Sequence, residues 1–118
     1  MTHKDLEVWK LSVALVLDIY QLSLSLPKDE KFGLSSQIKR AAISVPSNIA
    51  EGAGRKSTKE LLRFLDIANG SLSELETQLI IIEKLNFAEV SDILENKITV
   101  IRKMIYKLKA SLNSKGEQ

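Results

Sequence analysis

Apolar residues recur along most of the chain at intervals of three and four, the spacing of a helix that buries one side. The pattern is clearest between residues 57 and 85, where intervals of four and three alternate. The apolar residues of this third segment are Leu61, Leu65, Ala68, Leu72, Leu75, Leu79 and Ile82. This alternation suits left-handed bundle packing. Ser57 and Glu60 fit a capping box, which predicts a helix start there.

The first and last segments also predict helices, over residues 5–25 and 89–112. The predicted inner face of the first is Leu6, Trp9, Val13, Val16, Tyr20 and Leu24. That of the last is Val90, Ile93 or Leu94, Ile98, Ile101, Ile105, Leu108 and Leu112. Pro27 and the polar residues after it end the first helix.

A second helix is predicted over residues 31–54, where two glycines, Gly52 and Gly54, end the pattern. Its predicted inner face is Leu34, Ile38, Ala41, Val45 and Ile49. Pro46 lies within this helix, lacks an N–H and collides with the carbonyl four residues back. The sequence therefore predicts a kink or a break near Pro46.

Four helices joined by short loops, without strand signals, predict an all-α fold, an antiparallel up-and-down four-helix bundle. Residues 1–118 have the length of one domain. Further apolar residues fall outside the predicted inner faces: Val8, Leu11, Leu15, Ile19 and Leu22 in the first helix, and Leu62, Ile80 and Ile81 in the third. This surplus favours self-association over the alternative, a broad buried face in a compact bundle.

Composition argues against catalysis. The chain has no cysteine, and its one histidine, His3, precedes the first helix. A di-iron bundle needs Glu-x-x-His on two helices, and no serine has a base placed by a motif. We therefore expect no enzyme activity, no metal site and no cofactor. The lack of cysteine suits a reducing cytoplasm, and no apolar run approaches the roughly 20 residues of a membrane span.

Charge is distributed in stripes, although the formal net charge is only +2. Residues 31–63 hold seven basic and two acidic residues. Residues 64–96 hold one basic and seven acidic residues, and residues 97–118 hold six basic residues and one acidic residue. The candidate nucleic-acid-binding residues are Lys39, Arg40, Arg55, Lys56, Lys59 and Arg63, predicted to surround the turn between the second and third helices. No aromatic residues interleave with them in a way that indicates single-strand stacking. The alternative is an ordinary lysine-rich helix surface, partly neutralised by the acidic stripe.

Polar residues in the second helix form a second candidate site: Ser44, Asn48, Glu51 and Gly52. Local violations of helix rules concentrate at binding sites or at special packing contacts. In the packing interpretation, Ser44 or Asn48 satisfies the carbonyl freed by Pro46, and Gly70 permits close helix contact. Both interpretations stay open at the level of sequence.

Three stretches of the chain resemble a known family. They are residues 37–52 (QIKRAAISVPSNIAEG) with Arg55 after them, residues 6–9 (LEVW), and residues 68–79 (ANGSLSELETQL). Together with Pro27 and Glu30, they are similar to the 23S ribosomal RNA intervening-sequence proteins, also called four helix bundle proteins. The resemblance covers nearly the whole chain, although the last helix has no distinctive motif.

This resemblance implies an up-and-down bundle of the bacterial cytoplasm, in a family of which some members are encoded inside inserts of ribosomal RNA genes. The family also looks related to the accessory variability determinant of diversity-generating retroelements, a pentameric barrel that engages nucleic acid and a reverse transcriptase. We therefore expect a homo-oligomer, with a pentamer preferred. The expected function is accessory binding of RNA or DNA, and the alternative is a scaffold that binds another protein.

Overall fold

The periodic segments fold as helices that pack side by side in a computed structural model, which describes residues 2–116. The helices are α1 (Glu7–Ser23), α2 (Leu34–Ala53), α3 (Thr58–Lys84) and α4 (Thr99–Gly116), the last preceded by a π-helical segment, Ile93–Ile98. Consecutive helices pack against each other and α4 returns to α1. This confirms the predicted all-α four-helix bundle, which is 51 Å long and about 20 Å wide.

Two helices begin later than predicted because short 3-10 turns precede them. Thr2 and Asp5 form a capping box around the turn His3–Asp5, so α1 begins at Glu7 rather than at residue 5. A second turn, Lys28–Glu30, follows Pro27. The backbone of Gly33 is not helical, and α2 therefore begins at Leu34 rather than at residue 31.

The third helix has well-defined ends. The Ser57 hydroxyl accepts a hydrogen bond from the Glu60 N–H (3.1 Å), but the Glu60 carboxylate pairs with Arg63 (3.4 Å) instead of completing the predicted capping box. At the other end Asn86 takes a left-handed backbone (φ 59°). Its N–H bonds the Glu83 carbonyl, and the next N–H, that of Phe87, bonds the Ile82 carbonyl. This is a Schellman motif, closed by asparagine in place of glycine.

Pro46 does not break α2, which is one continuous helix. The proline ring is itself buried against the other helices. Of the two expected effects, a break is therefore excluded. Helix packing on both sides of the proline outweighs the single hydrogen bond that it removes.

The core follows the predicted faces of three helices. The fully buried large side chains of α2, α3, the π-helical segment and α4 are Ile38, Ile49, Leu65, Leu72, Leu75, Leu79, Ile82, Ile98, Ile101 and Ile105. The apolar periodicity predicts that either Ile93 or Leu94 faces inward. In the structure both are half-buried against this core. They lie in the π-helical segment, where an extra residue per turn brings both side chains to the inner side.

The predicted inner face of α1 is wrong in part, because only Leu6, Trp9 and Val16 of it pack against the core, and none of its residues is fully buried. The buried residues of α1 are Val8, Ser12, Leu15 and Ile19, whereas Tyr20 and Leu24 are exposed and the rest of the predicted face is half-buried. Ser12 lies on the buried face of α1, and because serine is polar, the apolar pattern does not include it. Its hydroxyl donates to the Val8 carbonyl (2.6 Å), so this small side chain is satisfied within its own helix and packs in the core. Much of the surplus apolar surface of α1 is thus core.

No helix in residues 2–116 combines the length and the hydropathy needed to cross a bilayer.

Candidate nucleic-acid interface

The acidic stripe of the sequence pairs with the last helix and not with α2. Arg102 of α4 donates two hydrogen bonds to the Glu76 carboxylate of α3 (3.1 and 3.2 Å). Lys109 pairs with Asp66 of α3. Acidic α3 is therefore partly neutralised by basic α4.

A third ion pair joins α1 to the π-helical segment. Lys97 donates to the Asp18 carboxylate at 2.6 Å. This hydrogen bond raises the pKa of Lys97 above its ordinary value. The pair's contribution to stability is therefore complete below the ordinary lysine pKa and is lost as the pH rises through the raised value.

The basic residues of segment 31–63 make no ion pair with another helix in the described part of the chain. Arg55 and Arg63 pair only with nearby carboxylates, those of Glu51 (3.6 Å) and Glu60 (3.4 Å). Five basic side chains of this segment have no ion pair among residues 2–116. These residues, which we call the α2 basic surface, are Lys31, Lys39, Arg40, Lys56 and Lys59. The fold thus leaves the positive charge of this segment facing solvent.

The six predicted nucleic-acid-binding residues do not form one cluster. Lys39 and Arg40 lie in the first half of α2, whereas Arg55 follows its C-terminal end. The helix from Arg40 to its end at Ala53 alone spans roughly 20 Å at 1.5 Å per residue, and Arg55 lies beyond that end. The expectation that all six surround the α2–α3 turn is therefore wrong. Arg55, Lys56, Lys59 and Arg63 lie at that turn, and Lys39 and Arg40 belong to a different part of the surface.

At the α2–α3 turn the two arginines share one aromatic ring. The guanidinium groups of Arg55 and Arg63 lie 5.0 and 5.3 Å from the centre of the Phe64 ring. Gly52 allows α2 to approach α3 here, because a Cβ at this position would lie 2.8 Å from the Phe64 Cβ. Phe64 was not singled out from the sequence, although it directly follows Arg63.

Lys39 and Arg40 lie beside two further aromatic side chains that sequence reasoning did not assign to the site. Tyr20 of α1 and Phe32 of the α1–α2 loop line one groove with these two residues and Lys31. The expectation that no aromatic residues interleave with the basic cluster is therefore wrong. Tyr20 had been assigned to the core. The available signal was Phe32, an aromatic residue that directly follows the polar run 28–31 of the loop.

The polar residues of α2 form an interhelical hydrogen-bond network. The Asn48 amide donates to the Ser44 carbonyl (2.8 Å) and hydroxyl (2.9 Å), and Ser44 bonds the Ser71 hydroxyl of α3 (2.7 Å). The carbonyl bonded by Asn48 is that of Ser44 and not the one freed by Pro46, so this detail of the packing interpretation is wrong. Ser44 nevertheless joins α2 to α3 through Ser71, and Asn48 bonds Ser44 from within α2. Glu51 points outward to Arg55 and takes no part in the network.

Gly70 does not serve close helix contact in the described chain. No heavy atom lies within 4 Å of a Cβ built at this position, and the residue is exposed. The close contact between α2 and α3 is made by Gly52. The predicted role of Gly70 is therefore wrong, and Gly52, which was predicted only to end the helix and as part of the polar site, has this role.

We predict that Ser44→Ala lowers the free energy of unfolding by about 1 kcal/mol, because the Asn48 amide and the Ser71 hydroxyl each lose a partner. The matched control is Ser47→Ala, on the exposed side of the same helix, where a change within about 0.5 kcal/mol is expected. Urea unfolding followed by circular dichroism measures both. Equal effects of the two substitutions would contradict a packing role for Ser44.

Part of the apolar surplus stays on the surface. The exposed large apolar residues are Leu11, Leu17, Tyr20, Leu24, Phe32, Ile43, Ile67, Ile80, Ile81, Leu85, Val100 and Tyr106. Leu11 and Val100 also line a groove of about 250 Å³ between α1 and α4. A monomer keeps this surface in contact with water.

The described residues offer no group of three histidine, aspartate or glutamate side chains arranged to hold a metal ion. The candidate interface presents cations, aromatic rings and neutral hydrogen-bonding groups, with Glu51 and Glu60 paired to the two arginines of the turn. These groups bind phosphates and flat rings.

Comparison with known proteins adds the family. The chain gives no match to a curated protein sequence. A family model does match, and residues 4–107 align with the model of the 23S rRNA-intervening sequence protein. The matched region includes all six candidate nucleic-acid-binding residues and the polar residues of α2. The chain therefore belongs to the 23S rRNA-intervening sequence protein family.

Proposed function

We propose that this protein is a non-catalytic, self-associating bundle that binds RNA or DNA as an accessory protein, through the α2 basic surface. The observation that carries the proposal is the unequal pairing of charge. Two carboxylates of α3, Asp66 and Glu76, pair with α4. Among residues 2–116, five cations of segment 31–63 have no ion pair, whereas Lys103 and Lys107 of α4 are unpaired. Unpaired lysines and arginines at these two places, beside the first half of α2 and at the α2–α3 turn, supply the counterion-releasing contacts on which nucleic-acid affinity depends.

Self-association is supported by the exposed apolar residues and by the open groove between α1 and α4. A neighbouring copy would cover this surface and remove it from water. A pentamer is the expected state. Light scattering coupled to size-exclusion chromatography at micromolar concentration should give a mass near five times the 13.2 kDa of one chain. A monomeric mass would overturn this half of the proposal.

Assembly makes weak phosphate contacts additive. If each of five subunits neutralises one or two phosphates, the assembly makes about 5 to 10 contacts, and log affinity falls with log salt at a slope of roughly −4 to −9. Recognition through charge predicts little dependence on nucleotide sequence.

The test is a salt titration of RNA and DNA against two double variants with the same change in charge. Lys56→Glu with Lys59→Glu reverses the unpaired lysines of the α2–α3 turn and should weaken binding at least tenfold at low salt. Lys103→Glu with Lys107→Glu changes exposed, unpaired lysines of α4 and should weaken binding far less.

Equal losses of affinity in the two variants would show that nucleic acid responds only to the net charge of the protein. That result would contradict a binding site at the α2–α3 turn. Absence of binding by the unmodified protein at low salt would favour the second candidate, a scaffold for another protein. The exposed apolar residues are the observation that supports that candidate.

A further inference from the structure

The groove between α1 and the start of α2 combines aromatic rings with cations. Its lining includes Tyr20 of α1, Lys31 and Phe32 of the preceding loop, and Lys39, Arg40 and Ile43 of α2. We call it the aromatic groove. Its volume is about 470 Å³ and it is open to solvent.

The aromatic groove is positive without a compensating acid. Lys31, Lys39 and Arg40 have no ion pair within residues 2–116, and no carboxylate lines the groove. Its nearest acidic neighbour in the loop, Glu30, is engaged elsewhere, because its carboxylate accepts a hydrogen bond from the Leu34 N–H at the start of α2 (3.4 Å). The groove therefore selects an anionic ligand.

The aromatic rings are exposed to an unusual degree. Phe32 has 88% of its surface accessible and Tyr20 has 42%. Neither ring is part of the core, to which α1 contributes Val8, Leu15 and Ile19. Exposing an apolar ring to water is unfavourable in free energy. A flat ligand that stacks on the ring removes this surface from water and regains that free energy.

Each ring has a lysine ammonium group over one face, so a base would stack on the opposite face. The Lys39 Nζ is 5.0 Å from the centre of the Tyr20 ring, and the Lys31 Nζ is 5.4 Å from that of Phe32. A nucleotide of a single strand presents a flat base and a phosphate together, and each ring with its lysine offers a partner for both. In a duplex the faces of the bases are covered by their neighbours, so the rings have nothing to stack on.

We propose that the aromatic groove binds single-stranded nucleic acid, with unpaired bases stacked on Phe32 and Tyr20 and phosphates held by Lys31, Lys39 and Arg40. This inference rests on the proposed function and refines it, because it names unpaired strands as the ligand and adds a site separate from the α2–α3 turn.

The test uses two variants that keep an apolar side chain but remove the ring, Phe32→Leu and Tyr20→Leu, in the full-length protein. Fluorescence anisotropy of a labelled 12-nucleotide oligo(U) measures affinity, and a duplex of equal length is the comparison. Each variant should weaken oligo(U) binding about 5- to 100-fold, the range expected for loss of one stacked base. Binding of the duplex should change little.

Two further variants separate stacking from charge. Phe32→Tyr retains a flat ring and should bind oligo(U) within about twofold of the unmodified protein. Lys39→Gln should lower the magnitude of the salt slope, while the two leucine variants leave the slope unchanged, because they remove no phosphate contact.

The outcomes distinguish the two proposals. If the unmodified protein binds neither oligo(U) nor duplex at low salt, both proposals fail. If it binds both equally and the leucine variants bind like the unmodified protein, the aromatic groove is overturned and binding at the α2–α3 turn stands. If either leucine variant changes the assembly mass in light scattering, the groove is a contact with a second copy of the chain, which also overturns this inference.

Discussion

Gly52→Ala is expected to lower the free energy of unfolding by about 1 to 3 kcal/mol, although alanine is the better helix former. The added Cβ would lie 2.8 Å from the Cβ of Phe64 and 3.1 Å from a methyl group of Leu61. The Phe64 Cβ is attached directly to the backbone of α3, so it moves away only if the two helices separate. Chemical unfolding followed by circular dichroism measures the change.

The control for Gly52 is the same substitution at Gly70. This glycine is exposed within α3 and a Cβ there would contact nothing within 4 Å. Gly70→Ala should therefore raise the free energy of unfolding by about 0.5 to 1 kcal/mol. Opposite signs for the two glycines support the close α2–α3 contact. Destabilisation at Gly70 would instead indicate that a neighbouring subunit packs against it.

The largest effect on stability is expected from Ile38→Ala, which should lower the free energy of unfolding by about 2 to 5 kcal/mol. Ile38 has no accessible surface and lies among buried residues of the four-helix core, so truncation removes buried apolar surface and leaves a cavity. Thermal and urea unfolding both measure this loss.

Ile43 provides the matched control, because it is the same residue type in the same helix and has 42% of its surface accessible. Ile43→Ala should lower the free energy of unfolding by less than about 1 kcal/mol. Equal effects at the two positions would contradict the orientation of α2 in the bundle. Since Ile43 lines the aromatic groove, the same variant also shows whether that groove tolerates the loss of an apolar contact.

The sequence predicts most of the fold because three helices carry uninterrupted apolar stripes. The stripes of α2, α3 and α4 are the ones that pack in the core. In α1 the stripe is interrupted by Ser12, whose hydroxyl is satisfied within the helix, and hydrophobic periodicity alone does not reveal that satisfaction. The starts of α1 and α2 depend on short turns, whose local hydrogen bonds leave a weak signal in composition.

The candidate site is harder to predict than the fold, because it depends on which charges meet between helices. In the sequence, Arg102 and Lys109 are basic residues of a polar helix surface, as Lys59 is. Only the packing of the helices shows that carboxylates of α3 pair with Arg102 and Lys109. Length along a helix is a simpler constraint. Counting residues between Arg40 and Arg55 separates the two halves of the basic cluster without a structure. The contact between Tyr20 and Lys39 joins different helices and requires the bundle.

The central claim is that nucleic acid binds on the α2 side of the bundle, where positive charge has no partner in the described chain. Ultraviolet cross-linking of the protein to a single-stranded RNA, followed by mass spectrometry of the cross-linked peptides, tests this claim directly. We expect cross-links in peptides that span residues 20–43 and 55–64, which contain Tyr20, Phe32 and Phe64. Cross-links confined to α4, or none at low salt, would contradict it.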